Sequence, residues 1–284
     1  MMSTKTARSI ARTLGLGLLA LAAFSTLLFA EVNGKAGTPP KTSRLVVNSS
    51  RWHRQSQGKT AIDTLYQATV THEDTRLTAD LMVMKSEGDM HEITCTGNPV
   101  FTDPENRITA DKIIALSTPR QAEFIGNVKM VTTPKKKIDS KANAKGDLRE
   151  KLTGDPSTLT CNHLRYNYSA KHANASGNVM IVQKARTVWA NDATYDQNLE
   201  LVTLTGNVHL KNTGEEEMKD LSNAETVTVS LRDDWIDIAA KKGEQLTMDF
   251  LVKDDDKPGS TSGAPAPGEK KPQPTNTPVG VTGK

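Results

Sequence analysis

Side chains able to do covalent or metal chemistry are few here, and their spacing brings none of them together. The six histidines, His53, His72, His91, His163, His172 and His209, show neither the H-x-H nor the H-E-x-x-H spacing that sets two imidazoles on one metal. Each reads as a surface strand residue. Asp233-Asp234 and Glu215-Glu216-Glu217 offer carboxylates of the kind that protonate and attack a glycosidic bond, but the sequence sets no second carboxylate opposite them. They read as turn acids. Cys95 and Cys161 have no metal-ligand spacing and are too few for a disulfide scaffold. An oxidising compartment would let them pair. They fall on different strand types in non-adjacent repeats, so two separate buried thiols are expected. No nucleophile elbow, phosphate-binding loop or dinucleotide fingerprint occurs. The sequence therefore predicts a protein that is not an enzyme and carries no metal or cofactor. Trp52, Trp189 and Trp235 read as wall residues or rim anchors.

What the chain does carry is a repeat. Gly97-Asn98, Gly126-Asn127, Gly177-Asn178 and Gly206-Asn207 follow one another at Gly-to-Gly steps of 29, 51 and 29 residues. Counting 29 back from Gly97 reaches Ala68, a worn copy. A fixed period of this size marks a stacked architecture in which no unit buries its apolar face alone. Around each Gly the residues alternate, and side chains alternate across a strand. Two before it stand Cys95, Phe124, Ala175 and Leu204; two after it stand Pro99, Val128, Val179 and Val208. Four after it stand Phe101, Met130, Ile181 and Leu210. These positions form a dry inner face, and the opposite parity, including His209, forms a mixed outer one.

A second ladder precedes the first: Leu77-Thr78-Ala79-Asp80, Ile108-Thr109-Ala110-Asp111, Leu159-Thr160-Cys161-Asn162 and Val188-Trp189-Ala190-Asn191, with Ser222-Asn223-Ala224-Glu225 a degenerate copy. Each repeat is thus two strands, one with a small residue and one with Gly-Asn. The small residue is expected where the backbone bends or approaches a neighbour closely. Stacked turns lay two β walls against each other with an apolar gallery between them. Alternation leaves open whether those walls close into a core or part to hold an apolar ligand.

Length and composition agree with a thin β architecture: 284 residues, 36% apolar but only 4% aromatic. From Ile62 to Val252 apolar residues recur at two, not at three and four, so no amphipathic helix is expected. The net charge of +3 is small beside 36 basic and 33 acidic groups, and no basic-aromatic constellation for nucleic acid appears. Residues 1–30 read as an export signal or an uncleaved membrane anchor: Lys5, Arg8 and Arg12 precede an apolar run to Ala30. Residues 31–43 read as a linker, and 253–284 as a disordered Pro/Gly/Lys-rich tail. The basic stretch 134–156 accounts for the long step. Its Lys135, Lys136 and Lys137 read either as a solvated loop or as contacts to an anionic head group.

The segment Ala190-Asn191-Asp192-Ala193-Thr194-Tyr195 through Leu201-Val202-Thr203-Leu204-Thr205-Gly206-Asn207-Val208, then Ala224–Val229 and Lys242-Gly243-Glu244, resembles the OstA-like domain of lipopolysaccharide transport. The likeness covers roughly residues 44–252 and lies in the order of several weak motifs. It departs at the 134–156 stretch, at the long polar tail and at Pro99, which stands where the family has Val. The resemblance implies an open-ended antiparallel β-jelly roll that holds acyl chains between its walls, stacks head to tail with itself and with other OstA-like components, and works in the periplasm. The lipid-facing residues would then be Cys95, Phe101, Phe124, Val128, Met130, Val179, Ile181, Leu204, Val208 and Leu210. The partner would be lipopolysaccharide or a related envelope glycolipid, with no nucleic acid. A membrane-anchored sister component of that system and a structural envelope module with a dry core are the alternatives.

Overall fold

The computed structural model describes residues 45–88, 90–133, 155–214 and 218–251, and over these the chain is all β, with no helix. The local reason is visible in Leu201–Asn212, where Val202, Leu204, Val208 and Leu210 are buried and Thr203, Thr205 and His209 are partly exposed. A half-buried pleated surface is what such alternation stabilises.

Over the described residues sixteen strands form a single antiparallel sheet in which each strand pairs only with strands at most three places away in sequence. The long ones, of eleven to thirteen residues, are β3 (Thr60–His72), β4 (Thr75–Glu87), β9 (Gln121–Thr132), β10 (Ser157–Asn167), β11 (His172–Gln183), β12 (Arg186–Asp196), β13 (Leu201–Asn212) and β14 (Met218–Ser230). Each passes through both walls. Elsewhere two short strands share the work of one: β5 (Met90–Thr96) with β6 (Val100–Thr102), and β7 (Asn106–Thr109) with β8 (Lys112–Leu116). At one end β1 (Leu45–Asn48) and β2 (Arg51–Gln57) both pair β3; at the other β15 (Trp235–Ala240) and β16 (Thr247–Phe250) both pair β14. The end strands do not pair with each other, so the stack is open.

The chain turns from one wall to the other at each of the four Gly-Asn pairs. Between Trp189↔His209 and Asp192↔Thr205 the register shifts by one residue, so β13 carries an extra one. Gly206 and Asn207 take φ of 73° and 51°, the left-handed region that Gly enters freely and Asn tolerates. The other three Gly-Asn pairs repeat this conformation. The close approach falls one residue beyond the expected small residue. A Cβ on Gly97 would lie 2.6 Å from the Asp80 side chain, and one on Gly177 would lie 2.7 Å from Asn162; Gly126 and Gly206 stand likewise against Asp111 and Asn191. The neighbouring Asn then bonds that same residue: Asn127 Nδ2 donates to Asp111 Oδ2 at 2.9 Å. The worn first copy lacks the extra residue. Tyr66↔Leu81 and Ala68↔Ala79 keep one register, Gln67 alone takes the positive φ, and Ala68 points inward.

Candidate functional site

The inner faces of the two walls form one continuous apolar cluster. All ten residues expected to line it are there, each at most 1% exposed. Cys95, Phe124 and Leu204 lie on the first wall; Val128, Val179 and Val208 follow the bend; Phe101, Met130, Ile181 and Leu210 lie on the second wall. The second-wall row is unbroken in register: Phe101 faces Ile108, then Met130, Leu159, Ile181, Val188 and Leu210 follow in turn. Across the gap the Phe101 and Phe124 rings meet edge to face with centroids 6.5 Å apart, so the walls are in contact. Space for a ligand between them therefore requires the walls to separate.

Cys95 and Cys161 are free thiols in this interior, and burial raises both to about 12. At neutral pH they are uncharged small apolar groups, not nucleophiles. Lys135, Lys136 and Lys137 lie outside the described residues. So do residues 1–43, the tail from residue 253 and Glu215–Glu217.

The seam opposite the bends was not anticipated. There the inner row of the second wall turns polar: Asn106, Thr132, Ser157, Gln183 and Asn212 are all buried. The bonds are internal. Thr132 Oγ1 donates to Asn106 Oδ1 at 3.0 Å, and Asn212 Nδ2 donates to the Met218 carbonyl at 3.0 Å. Asp103 accepts the backbone N–H of Asn106 at 2.7 Å. Facing this row on the first wall are Tyr166 and Tyr168, rings 4.6 Å apart edge to face. Burial, with smaller effects from Tyr166 and Asp103, holds the Tyr168 phenol well above its ordinary value. The sequence did hold a signal: the sixth residue after each Gly is Asp103, Thr132, Gln183 or Asn212, polar in every copy.

The two ends of the gallery differ. At the β2 end Asp63 continues the first-wall inner row and is only 11% exposed. Its carboxylate accepts bonds from Trp52 Nε1 at 2.8 Å and from Arg54 Nε and Nη2 at 2.7 Å each. The Arg54 guanidinium also lies 5.3 Å from the Trp52 ring centre. The Arg54 bond is the main cause holding the Asp63 carboxyl below its ordinary value. At the other end the corresponding positions are Ile236 and Ile238 on β15, with Met248 and Phe250 on β16, all partly buried and packed on the core.

On the outer face Trp189 stacks on His209, rings 5.2 Å apart, and His209 Nε2 lies 3.3 Å from Asp220. His209 is where parity placed it. His72 is not: it is buried, 6% exposed, because it continues the inward parity of Ala68 and Val70. Asp233 sits in a turn against the Ser230 hydroxyl, as a turn acid should. Among the described residues no group of three His, Cys, Asp or Glu is placed to hold a metal ion.

Fold and interior together define a class: a two-walled, open-ended antiparallel stack whose one distinctive site is an apolar gallery with a polar seam. Among solved structures the chain is similar to LptH of Pseudomonas aeruginosa, described as the LptA homologous periplasmic component of the conserved lipopolysaccharide transport device. The identity is 11% and the TM-score 0.33, covering 63% of this chain and 94% of that one. No protein-family model and no curated protein matches the chain.

Proposed function

We propose that the protein is a non-enzymatic carrier of the cell envelope, shielding the acyl chains of a glycolipid of the lipopolysaccharide class between its two walls. The observation that carries this reading is the gallery itself: rows of aliphatic side chains run the length of an open stack and give way to buried polar groups along one seam. That is the polarity profile of an amphiphile, with chains inward and head group at the seam. Transfer of apolar surface out of water supplies the affinity, at about 25 cal/mol per Å2. Export by residues 1–30 would put the carrier in the periplasm. The unpaired edges of β1, β2, β15 and β16 offer backbone groups for stacking on OstA-like components or a second copy, which extends rather than closes.

A second reading is favoured by a specific observation. The ten inner residues are at most 1% exposed, as in a structural module whose core stays dry. One experiment separates the two. A photoreactive phenylalanine at Phe124 or Phe101, in protein recovered from its own envelope, should cross-link to lipid, and native mass spectrometry should show the adduct. Lipid labelling at outward Thr203 but at neither inner position would sink the carrier reading and leave the dry module. Mature protein beginning after residue 30 would exclude the membrane-anchored alternative.

A further inference from the structure

We propose that Asp63, Arg54 and Trp52 are a stopper that closes the β2 end of the gallery to apolar chains, leaving the mouth between β15 and β16 as the end through which they pass. The inference rests on the carrier reading above.

The register shows how the two ends came to differ. One inner row runs from Arg54 and Asp63 through Met84, Ile93, Ala115 and Ala122, and ends at Val229 and Ile236. Its neighbour runs from Trp52 and Leu65 to Val227 and Ile238. Charge enters only at the first two places of the first row. The cover over Asp63 is thin, because Arg54 and Trp52 themselves supply it from the terminal strand. They hold it with three bonds of 2.7–2.8 Å. A hydrocarbon chain passing here must break those bonds and offers no donor in return, leaving a carboxylate against aliphatic neighbours. At the other mouth the same chain meets Ile238, Met248 and Phe250 and displaces only water.

Among the described residues of the facing wall at this end, the ionisable inward side chain is His72 of β3. On the facing wall the inward residues of β1 are Leu45 and Val47, both uncharged and exposed. Arg51 and His53 alternate to the outer face of β2, where Arg51 sits over the Tyr66 ring. Arg54 is 56% exposed, so the stopper is reachable from outside the gallery. An anionic group on an arriving partner could compete for its guanidinium. The stopper is therefore specific for uncharged chains.

The test uses the full chain and a fluorescent diacylglycerol presented in phosphatidylcholine vesicles. Photoreactive residues are placed singly at Val47, Ile238 and Phe124, with outward Val46 as background. Labelling is expected at Phe124 and Ile238, with Val47 about tenfold weaker and near background. Replacing the pair together, Arg54→Leu with Asp63→Leu, should bring Val47 to the level of Ile238; circular dichroism checks that the variant is folded. Equal labelling at Val47 and Ile238 in the chain with Arg54 and Asp63 intact overturns the stopper and keeps the carrier. A Val47 signal that stays at background in the folded double variant also overturns the stopper. No labelling at Phe124 removes the carrier reading, and the stopper with it.

Discussion

The β2 end and the β15/β16 end terminate the same rows of one stack by opposite chemistry. At the first, a carboxylate, a guanidinium and an indole satisfy one another across two strands. At the second, aliphatic and aromatic groups run out half-covered. A repeat that buries its face on the next repeat must stop somewhere, and its last faces have no neighbour. The contrast teaches that the period fixes the middle and leaves the ends free to differ. Trp52, 61% exposed, and Trp235, 43% exposed, mark the two edges.

The contrast can be broken or sharpened by substitution and by pH. The largest effect belongs to the middle, against which both ends are measured. Leu204→Ala should cost about 2–5 kcal/mol in urea unfolding, and Ile238→Ala, at the half-covered mouth, about 1 kcal/mol. Equal losses would mean that the mouth is as buried as the middle. Alkali should also strike the middle. Cys95 and Cys161 sit at about 12 in the fold, above their ordinary value, so the unfolded chain loses those protons first. Stability should hold to about pH 8.5 and fall as pH rises, by about 1–2 kcal/mol per thiol at pH 10; the double Cys→Ala variant should have a shallower slope.

Gly126→Ala should cost about 1–3 kcal/mol, from its positive φ and from the Asp111 side chain its Cβ would meet. Adding Asp111→Ala should recover the contact part alone, and full recovery would show that the φ is not strained. The smallest effect is confined to the β2 end. Because the folded Asp63 carboxyl sits below its ordinary 3.8, its contribution is intact above that pH and disappears as pH falls through the lower value. In chains keeping a single tryptophan, the emission of Trp52 should shift in that acid range and that of Trp235 should not. A matching shift at Trp235 would mean that the whole stack loosens.

Much of this architecture was legible. Alternation about each Gly placed Cys95, Phe124, Val208 and Leu210 inward because a strand has only two faces and one is dry. The reason for the Gly was not legible as a bend alone. Its partner, Asp111 just before β8 for Gly126 and Asn191 on β12 for Gly206, lies fifteen residues upstream, and only the register brings them together. The polar seam was missed because the count stopped four residues after the Gly, two short of Thr132, Gln183 and Asn212. Asp63 was missed for another reason: it lies in the worn first copy on β3, which lacks the Gly and the extra residue from which the parity was counted, and only the register aligns it with Ile93 and Ala122. The ten gallery residues share one interior, but alternation cannot say whether that interior opens, since a closed core and a closed slot bury the same atoms.

Every described strand pairs with strands no more than three places away in sequence, and β9 and β10 pair from Thr132↔Ser157 to Gln121↔Asn167, with one bulge between Cys161 and His163, despite the long segment between them. Such a chain zips up locally, without closing large loops before contacts reward it. It can also lengthen or shorten by whole hairpins without rethreading. The number of rungs, and so the reach of the molecule, is then an adjustable dimension independent of its cross-section.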